Sequence, residues 1–534
     1  MSVKRTESPT GPPKADLVPP KPQLSLVRVV LLVLVVAALA LGGWHFVTRG
    51  TPTADAKSNA VPVYAPYVDV TLTPTYSFQL PSANPVSSVY LAFVVSDPSA
   101  ACRPSWGAYY TLPQAEQALD LDSRTAQLRN EGGSVMISFG GRDNTELAVA
   151  CTDEAKLVDA YRAPLERYHA TAIDLDLEGA TLDDSAANAR RATAIAAIQH
   201  ELAARHKSLQ VWLTLPVSPS GLSAAGTAAV RAMFAAHVKL AGVNAMAMDF
   251  GTAATAPGAM VGLVEQSLYA THSQVQALWR AAGLPSSASS AWGHVGATVM
   301  IGVNDQADER FTTGDAETLT SFVSRHGIPR VSIWSLNRDR PCGGAFPRTD
   351  VVSNTCSGVL QKPLEFTRIL GRLKGTTVAS DTASVEPTQA VSGPADDPAR
   401  SPYPVWRATA AYGTGYKVVW QHVIYQASWW NQGTPPDAAG GDASPWQPIG
   451  PVPAGSRAPK LVLLAQGTFP RWSPNAVYRQ GDRVTFEGLP YEARWYTQGD
   501  QPLDDLPADP GTPWQPLFKV PGEPTAASTG TETK

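Results

Sequence analysis

Eight short apolar segments along the middle of the chain constrain its fold more than any other feature. They are residues 61–70, 88–95, 134–139, 172–177, 210–216, 242–249, 297–303 and 330–336. Alanine-rich stretches with helical periodicity, such as 184–205, lie between several of them. Eight strands that alternate with helices are typical of a (β/α)8 barrel, which has helices outside and packed side chains inside. We therefore expect an α/β fold with a TIM barrel over residues 61–375.

The N-terminal region predicts a membrane anchor. Residues 29–47 contain no Asp, Glu, Lys or Arg, and 19 helical residues span about 28 Å, close to the hydrocarbon thickness of a bilayer. Residues 1–28 are rich in Lys and Arg, which keeps such a segment in the cytoplasm. We expect a cytoplasmic segment, a transmembrane helix, a linker at 48–60, and extracellular domains after it. The alternative is a cleaved signal sequence, for which 38–40 and 54–56 offer small-residue cleavage sites.

Charge and cysteine content narrow the class of protein further. The chain has 42 basic and 46 acidic residues, so it lacks the basic excess typical of nucleic-acid-binding proteins. Its four cysteines, Cys102, Cys151, Cys342 and Cys356, show no CxxC spacing. An even number in an exported chain indicates disulfides. Three pairings are open, and we expect the local one, Cys102–Cys151 with Cys342–Cys356.

The last quarter of the chain contains an internal repeat. Residues 376–402, rich in Thr, Ser, Ala, Pro and Asp, predict a linker, and eight of the 14 Trp follow it. Ten positions recur at an offset of 66 residues, and a Pro-Trp-Gln-Pro sequence closes both copies. We expect two small all-β modules at 403–451 and 467–518. A linker at 452–466 would separate them, and a disordered tail would follow at 519–534.

One barrel strand carries an unusual set of acids. In residues 171–178 the apolar side chains alternate with Ala172, Asp174, Asp176 and Glu178, which places three carboxyls inside the predicted barrel. Burial and mutual repulsion disfavour ionisation, so at least one carboxyl is expected to stay protonated, as a general acid must. Glu178 comes last and lies nearest the C-terminal mouth, where barrel active sites sit. A Mg²⁺ or Ca²⁺ site and a solvent-facing acidic strand are the alternatives.

This strand resembles the DGxDxDxE signature of glycoside hydrolase family 18, the chitinases and their relatives, although Thr171 and Ala172 replace its first two residues. Residues 138–141 resemble the family's SxGG motif, and 246–250 resemble its MxYD strand, with Met248 in place of the Tyr. Trp334 lies where the last strand supplies the aromatic floor of the sugar site. The resemblance covers the whole predicted barrel.

The resemblance implies substrate-assisted retaining hydrolysis, without a metal or organic cofactor. Glu178 would be the general acid and base. Asp176 would orient the substrate's acetamido group, and Asp174 behind it would share a proton. Asp249, Met246 and Trp334 are expected at the substrate. Ser138, Gly140 and Gly141 are expected there too, and they would mainly shape the barrel interior.

The repeated modules are similar to the small chitin- and cellulose-binding modules of families 5 and 12. Each copy has adjacent aromatic residues, of which strand alternation predicts one in the core and one exposed for sugar stacking. The candidate chitin-binding residues are Trp429, Trp430, Trp446, Trp495, Tyr496 and Trp514.

These observations predict a membrane-anchored or secreted chitinase that is monomeric, binds chitin or chitooligosaccharides, and binds no nucleic acid. One alternative is a non-catalytic chitin-binding lectin on the same fold. Another is a hydrolase of a different N-acetylglucosamine-containing glycan, such as peptidoglycan.

Overall fold

The computed structural model describes residues 60, 63–170, 172–251, 259–306, 308–343, 351–376, 396–437, 444–461, 463–465, 467–502 and 512–524. The predicted anchor at 29–47 and the segment before it lie outside the described residues. Within the described ranges, no helix is both long and apolar enough to cross a membrane.

The first part of the barrel alternates strands and helices as expected. In chain order its elements are β1 (Val63–Tyr64), β2 (Tyr67–Asp69), β3 (Ser88–Asp97), β4 (Ala100–Trp106), β5 (Tyr110–Thr111), α1 (Leu112–Leu119), α2 (Leu121–Asn130), β6 (Ser134–Gly140), α3 (Leu147–Ala150), α4 (Glu154–Arg167) and β7 (Ala172–Asp176).

The second part completes it. Its elements are α5 (Gly179–Asp183), α6 (Ser185–Ala204), β8 (Gln210–Ser218), β9 (Gly221–Leu222), α7 (Ala224–Ala235), β10 (Leu240–Met246), α8 (Ala259–Ala281), α9 (Ala288–Trp292), β11 (Val295–Met300), β12 (Gly302–Val303), β13 (Arg310–Phe311), α10 (Thr313–His326), β14 (Arg330–Trp334) and α11 (Glu365–Leu370).

The barrel closes through its first strand, which is split in two. β1 pairs with β14 and β2 pairs with β3, and the strands between them follow the order β14, β11, β10, β8, β7, β6 and β3. These pairings are all parallel. Each of the eight predicted apolar segments supplies a barrel strand, so the predicted (β/α)8 architecture is confirmed.

The two faces of the strands divide the core as alternation predicts. On β7 and just after it, Ile173, Leu175 and Leu177 belong to the large apolar layer between strands and helices. Ala172 faces the other way and packs with aromatic and Met side chains inside the barrel. The covering helices start at capped residues. The Asp153 side chain accepts from Lys156 N at the start of α4, and the Asp184 side chain accepts from Ala187 N at the start of α6.

Both expected disulfides are present. Cys102 on β4 pairs with Cys151 at the end of α3, with their Cα atoms 4.7 Å apart. Cys342 pairs with Cys356 in the segment that follows β14. The local pairing predicted from the sequence is therefore confirmed.

The repeat forms two β-rich units of the same topology. The first β-unit comprises β15 (Ala411–Tyr412), β16 (Lys417–Trp420), β17 (Val423–Ala427), β18 (Asn431–Gln432) and β19 (Trp446–Pro451). The second β-unit comprises β20 (Val477–Tyr478), β21 (Arg483–Phe486), β22 (Leu489–Ala493), β23 (Thr497–Gln498) and β24 (Trp514–Pro516). Each unit contains one two-stranded and one three-stranded antiparallel sheet.

Order extends beyond the boundaries expected for these units. Within the predicted linker 376–402, the Asp396 carboxylate accepts hydrogen bonds from the backbone N–H groups of Gln421 and His422. Within the predicted tail 519–534, Gly522 O accepts from Lys417 N at 2.8 Å. The linker therefore ends before residue 396, and the tail is ordered through residue 524, because both segments hydrogen-bond to the first β-unit.

Candidate active site

A cavity of about 840 Å³ opens at the C-terminal ends of the barrel strands. Asp176 and Glu178 reach it from β7, Met246 from β10, and Trp334 from β14. The structure thus brings together predicted site residues that are up to 158 positions apart in the sequence (334 − 176). Such a mouth is the usual place for barrel chemistry.

Asp174 lies beneath the cavity as a fully buried carboxylate with a complete set of donors. Its oxygens accept hydrogen bonds from Tyr67 at 2.8 Å and from Ser138 and Thr214 at 2.6 Å each. A nitrogen of the Arg330 guanidinium lies 2.8 Å away. No hydrogen bond joins Asp174 to Asp176 among the described residues, so the expected proton sharing is not seen as a direct contact.

Arg330 is a buried cation at the first position of β14. Its guanidinium lies 4.0 Å from the centroid of the Tyr90 ring and donates to Tyr67 Oη at 2.7 Å. Burial opposes its charge, but Asp174 and the neighbouring tyrosines raise its pKa above the ordinary value. Arg330 therefore supplies a positive charge that offsets the cluster of acids in the barrel interior.

Asp176 has an oxygen that is free for a ligand. The side chain is buried, and Oδ1 has no hydrogen-bond partner among the described residues. Burial first, and then the nearby Glu178 and Asp174, raise the pKa of Asp176 well above its usual range, while Arg330 opposes the shift. Burial and the neighbouring acids therefore favour the protonated form of this carboxyl at the floor of the cavity.

Glu178 lies just after β7 and faces the cavity mouth. Burial raises its pKa to about 7, Arg142 opposes the shift, and Asp249, Asp143 and Asp305 add to it. A carboxyl with this pKa is part protonated near neutral pH, which suits both proton donation and later proton removal.

Asp249 lies beyond the end of its strand, although the sequence predicted it as the last strand residue. β10 stops at Met246, and Asp249 adopts a left-handed conformation with φ of 55° in the following loop. Its Oδ1 accepts from Gln306 N at 3.2 Å, and Glu309 fixes the loop by accepting from Phe250 N. Burial, and then Asp305, raise the pKa of Asp249.

Trp334 forms an aromatic wall with a residue that the sequence analysis did not single out. Its ring stacks on Phe93 with centroids 5.3 Å apart and planes at 22°. Met246, Met248 and Met300 contribute apolar surface to the same cavity. Thr298 also lines the wall, and its hydroxyl accepts from Asn244 Nδ2 at 2.7 Å.

Ser138, Gly140 and Gly141 support the acidic strand and do not line the cavity. A Cβ on Gly140 would lie 2.1 Å from the Asp176 carbonyl oxygen, and one on Gly141 would lie 2.8 Å from the Phe93 ring. These residues therefore shape the barrel interior, which is the main role that the sequence predicted for them.

Arg330 and Tyr67 are the main residues that sequence reasoning missed. The signal for Arg330 was available, because β14 alternates Arg330, Ser332 and Trp334 with two apolar residues, as β7 does with its acids. Within the described ranges, no group of three or more His, Cys, Asp or Glu side chains is arranged to hold a metal ion.

The aromatic candidates of the β-units divide differently from the prediction. Trp429, Trp430, Trp495 and Tyr496 have between 44% and 64% of their surface exposed. Both members of each pair are exposed, because β17 and β22 end before the pair and strand alternation does not apply. Trp446 and Trp514 are instead buried, and their indole N–H groups donate to backbone carbonyls within their own units.

A (β/α)8 barrel with an aromatic wall and an acid pair at its mouth defines a glycoside hydrolase-like domain. Its relatives are chitinases. The chain is 34% identical over 284 residues to "Probable bifunctional chitinase/lysozyme" of Escherichia coli K12, covering 53% of this chain and 31% of the relative. It is 33% identical over 289 residues to "Endochitinase 11" of Metarhizium anisopliae, covering 52% and 53%. The chain thus spans at most about half the length of these relatives.

Structural comparison agrees. The catalytic domain of a hyperthermophilic chitinase from Pyrococcus furiosus has a TM-score of 0.50 and 25% sequence identity, with 60% of this chain and 97% of that chain covered. Residues 471–515 match carbohydrate-binding module family 5/12. The barrel of this chain is therefore similar to chitinase catalytic domains, and its second β-unit matches carbohydrate-binding module family 5/12.

Proposed function

We propose that the protein hydrolyses chitin by substrate-assisted retaining catalysis. The observation that carries this proposal is the pair Asp176 and Glu178, both with raised pKa, at the mouth of a chitinase-like barrel beside Trp334. Both curated relatives carry chitinase in their names.

In the first half of the reaction Glu178 protonates the glycosidic oxygen. The acetamido carbonyl oxygen of the substrate attacks the anomeric carbon as the glycosidic bond breaks, which gives an oxazolinium ion. Asp176 is suited to orient the acetamido group, since its unpaired Oδ1 can accept from the acetamido N–H while the other oxygen keeps the proton. Asp174, fixed by its donors and by Arg330, helps to raise the pKa of the Asp176 carboxyl.

In the second half Glu178 removes a proton from water, which attacks the anomeric carbon and opens the oxazolinium ring. Asp249 helps to hold the acetamido group, and Trp334 lies under the sugar ring. Met248 brings no hydroxyl to this site. The side chain of Thr298, which lines the same cavity wall, carries one.

The general acid is tested by Glu178→Gln, which removes the transferable proton while preserving shape. We expect release of oligosaccharides from colloidal chitin to fall by at least about 10²-fold, with chitin pull-down unchanged. Glu166→Gln, an exposed position on α4, is the control and keeps full activity. Hydrolysis by Glu178→Gln within tenfold of the parent contradicts the mechanism, and absence of hydrolysis by the parent favours the lectin alternative.

The second candidate is lysozyme-like hydrolysis, favoured by the name of the E. coli relative. The cavity wall argues against this second candidate. It is lined by four aspartates and one arginine, namely Asp69, Asp143, Asp249, Asp305 and Arg142. Such a wall repels a glycan that bears lactyl and peptide carboxylates. Turnover of peptidoglycan comparable to that of chitin under the same conditions decides for the second candidate.

We propose that both β-units bind chitin through their exposed aromatic pairs, Trp429–Trp430 and Trp495–Tyr496. The family 5/12 match supports this for the second unit, and the 66-residue repeat extends it to the first. Flat exposed aromatics suit stacking on pyranose faces.

We also propose that residues 29–47 anchor the protein in the cell membrane with its domains outside. Two disulfides are consistent with an oxidising compartment. Membrane fractionation combined with N-terminal sequencing distinguishes the anchor from a cleaved signal sequence.

A further inference from the structure

The first β-unit contacts the barrel through a buried polar cluster at Asp120, the residue between α1 and α2. Asp120 Oδ1 accepts a hydrogen bond from Tyr403 Oη at 2.5 Å, and Oδ2 accepts one from Lys417 Nζ. The Lys417 ammonium also lies 5.1 Å from the centroid of the Tyr403 ring. Asp120 is buried, so water does not replace the Lys417 ammonium as its partner. Breaking the contact leaves the Asp120 carboxylate without its cation.

A backbone contact lies beside this cluster. Gly450 on β19 lies against the carbonyl of Ser123 on α2, and a Cβ at position 450 would be 2.0 Å from that oxygen. Only a glycine allows the strand and the helix to approach this closely.

The two copies of the repeat differ at these positions. Sixty-six residues after Tyr403 and Lys417 the chain has Phe469 and Arg483, and the guanidinium again lies over the ring, at 6.0 Å. Arg483 pairs with Glu492 of its own unit and is about half exposed. The cation–aromatic pair is therefore common to both units, but only in the first is it directed at the barrel.

A C-terminal strap, residues 517–524, joins the second β-unit to the first. Gly522 O accepts from Lys417 N at 2.8 Å, and Pro521 O accepts from Tyr416 Oη at 3.0 Å. Val520 is buried in a core that contains side chains of both units. Lys417 thus binds the strap with its backbone and the barrel with its side chain.

We propose that the barrel and both β-units form one rigid body, which holds the exposed aromatic pairs at fixed positions relative to the cavity when they bind polysaccharide. The choice of polysaccharide rests on the proposed chitinase function. A rigid arrangement avoids the ordering cost that a flexible tether brings to each binding event. The expected linker thus ends at a docked unit rather than at a freely tethered one.

The test compares Asp120→Asn and Lys417→Met with Arg483→Met, the control at the equivalent position of the second unit. Asn is chosen because it tolerates the left-handed conformation of residue 120, where φ is 52°. The full chain, in mild detergent, is assayed on insoluble chitin and on soluble chitooligosaccharides. We expect the two interface variants to lose at least fivefold on insoluble chitin and less than twofold on soluble substrate, while Arg483→Met matches the parent on both.

Hydrogen exchange provides a readout that is independent of activity. Asp120→Asn and Lys417→Met are expected to speed exchange in 121–130 and 446–451, the two segments in contact, without changing exchange in β6. If neither variant changes exchange there or the insoluble-to-soluble ratio, the rigid-body proposal is wrong. If exchange changes but no chitin is hydrolysed by the parent protein, the proposed function fails and the rigid body stands. Lys417→Met lies outside the barrel, so the test survives if Asp120→Asn destabilises the barrel.

Discussion

At the scale of single residues, the barrel tolerates three neighbouring acids because each has a different environment. Asp174 has a buried cation and three hydroxyl donors, burial raises the pKa of Asp176, and Glu178 lies at the mouth. Strand alternation predicted which way these side chains point. Alternation also places Arg330 inside the barrel, but it does not predict the pairing with Asp174, because β7 and β14 are not neighbours in the sheet and meet only across the closed barrel.

The charges around Glu178 predict that two substitutions shift the pH profile of activity in opposite directions. A general acid must be protonated, so kcat/KM on soluble chitooligosaccharides should fall as pH rises through the Glu178 pKa of about 7. Arg142 lowers that pKa, so Arg142→Gln should move the basic limb of the profile to higher pH. Asp143 raises it, so Asp143→Asn should move the limb to lower pH.

Both changes are expected to be a fraction of a pH unit, because Arg142 and Asp143 are exposed to solvent. The profiles are measured at two salt concentrations, and the separation between the variants should narrow at the higher one. Shifts in the same direction for both variants argue against Glu178 as the group that controls the basic limb.

At the scale of elements, the close approach of β6 to β7 depends on a glycine. Gly140 has φ of 98°, and a Cβ there would meet the Asp176 carbonyl oxygen at 2.1 Å. Gly132 has φ of 80° but open space around it, which makes it a matched control. Gly140→Ala should lower the free energy of unfolding by about 2–5 kcal/mol and Gly132→Ala by about 1–2 kcal/mol.

Chemical denaturation followed by near-UV circular dichroism measures both effects. Gly140→Ala is also expected to reduce activity, since the displaced carbonyl belongs to Asp176. Equal losses of stability in the two variants contradict the role assigned to this contact.

The strands were predictable because barrel strands are short, apolar and separated by helices. The residues at which the strands end were not predictable. These ends decide which side chains follow strand alternation and which lie in loops. Asp249 follows a strand that stops three residues earlier than its apolar pattern, and the exposed aromatic pairs follow strands that stop just before them. After β10, hydrogen bonds from Gln306 N to Asp249 and from Phe250 N to Glu309 hold the loop, and periodicity carries no information about such contacts.

At the scale of the whole molecule, removing residues 396–534 deletes both β-units with the ordered segments on either side. We expect hydrolysis of insoluble chitin to fall by about tenfold or more, because the bound aromatic surface raises the local substrate concentration. Hydrolysis of soluble chitooligosaccharides should stay within about threefold, because the cavity is built by the barrel alone. Equal losses on both substrates contradict a role in polysaccharide targeting.

The repeat predicted two units, but not how they are joined to the barrel. Tyr403 and Lys417 have aromatic and cationic counterparts in the second unit, so the pair is typical of the unit's own packing. Its use at an interface depends on Asp120, which lies almost 300 residues earlier and belongs to no recognisable motif.

The C-terminal strap has a consequence for how the chain is made. A ribosome releases the first β-unit well before residues 520–522, which cover Tyr416 and bind Lys417 N. The earlier unit therefore stays incomplete until residues 520–522 have been synthesised. A chain that stops before residue 520 leaves aromatic surface uncovered in a unit whose own sequence is intact.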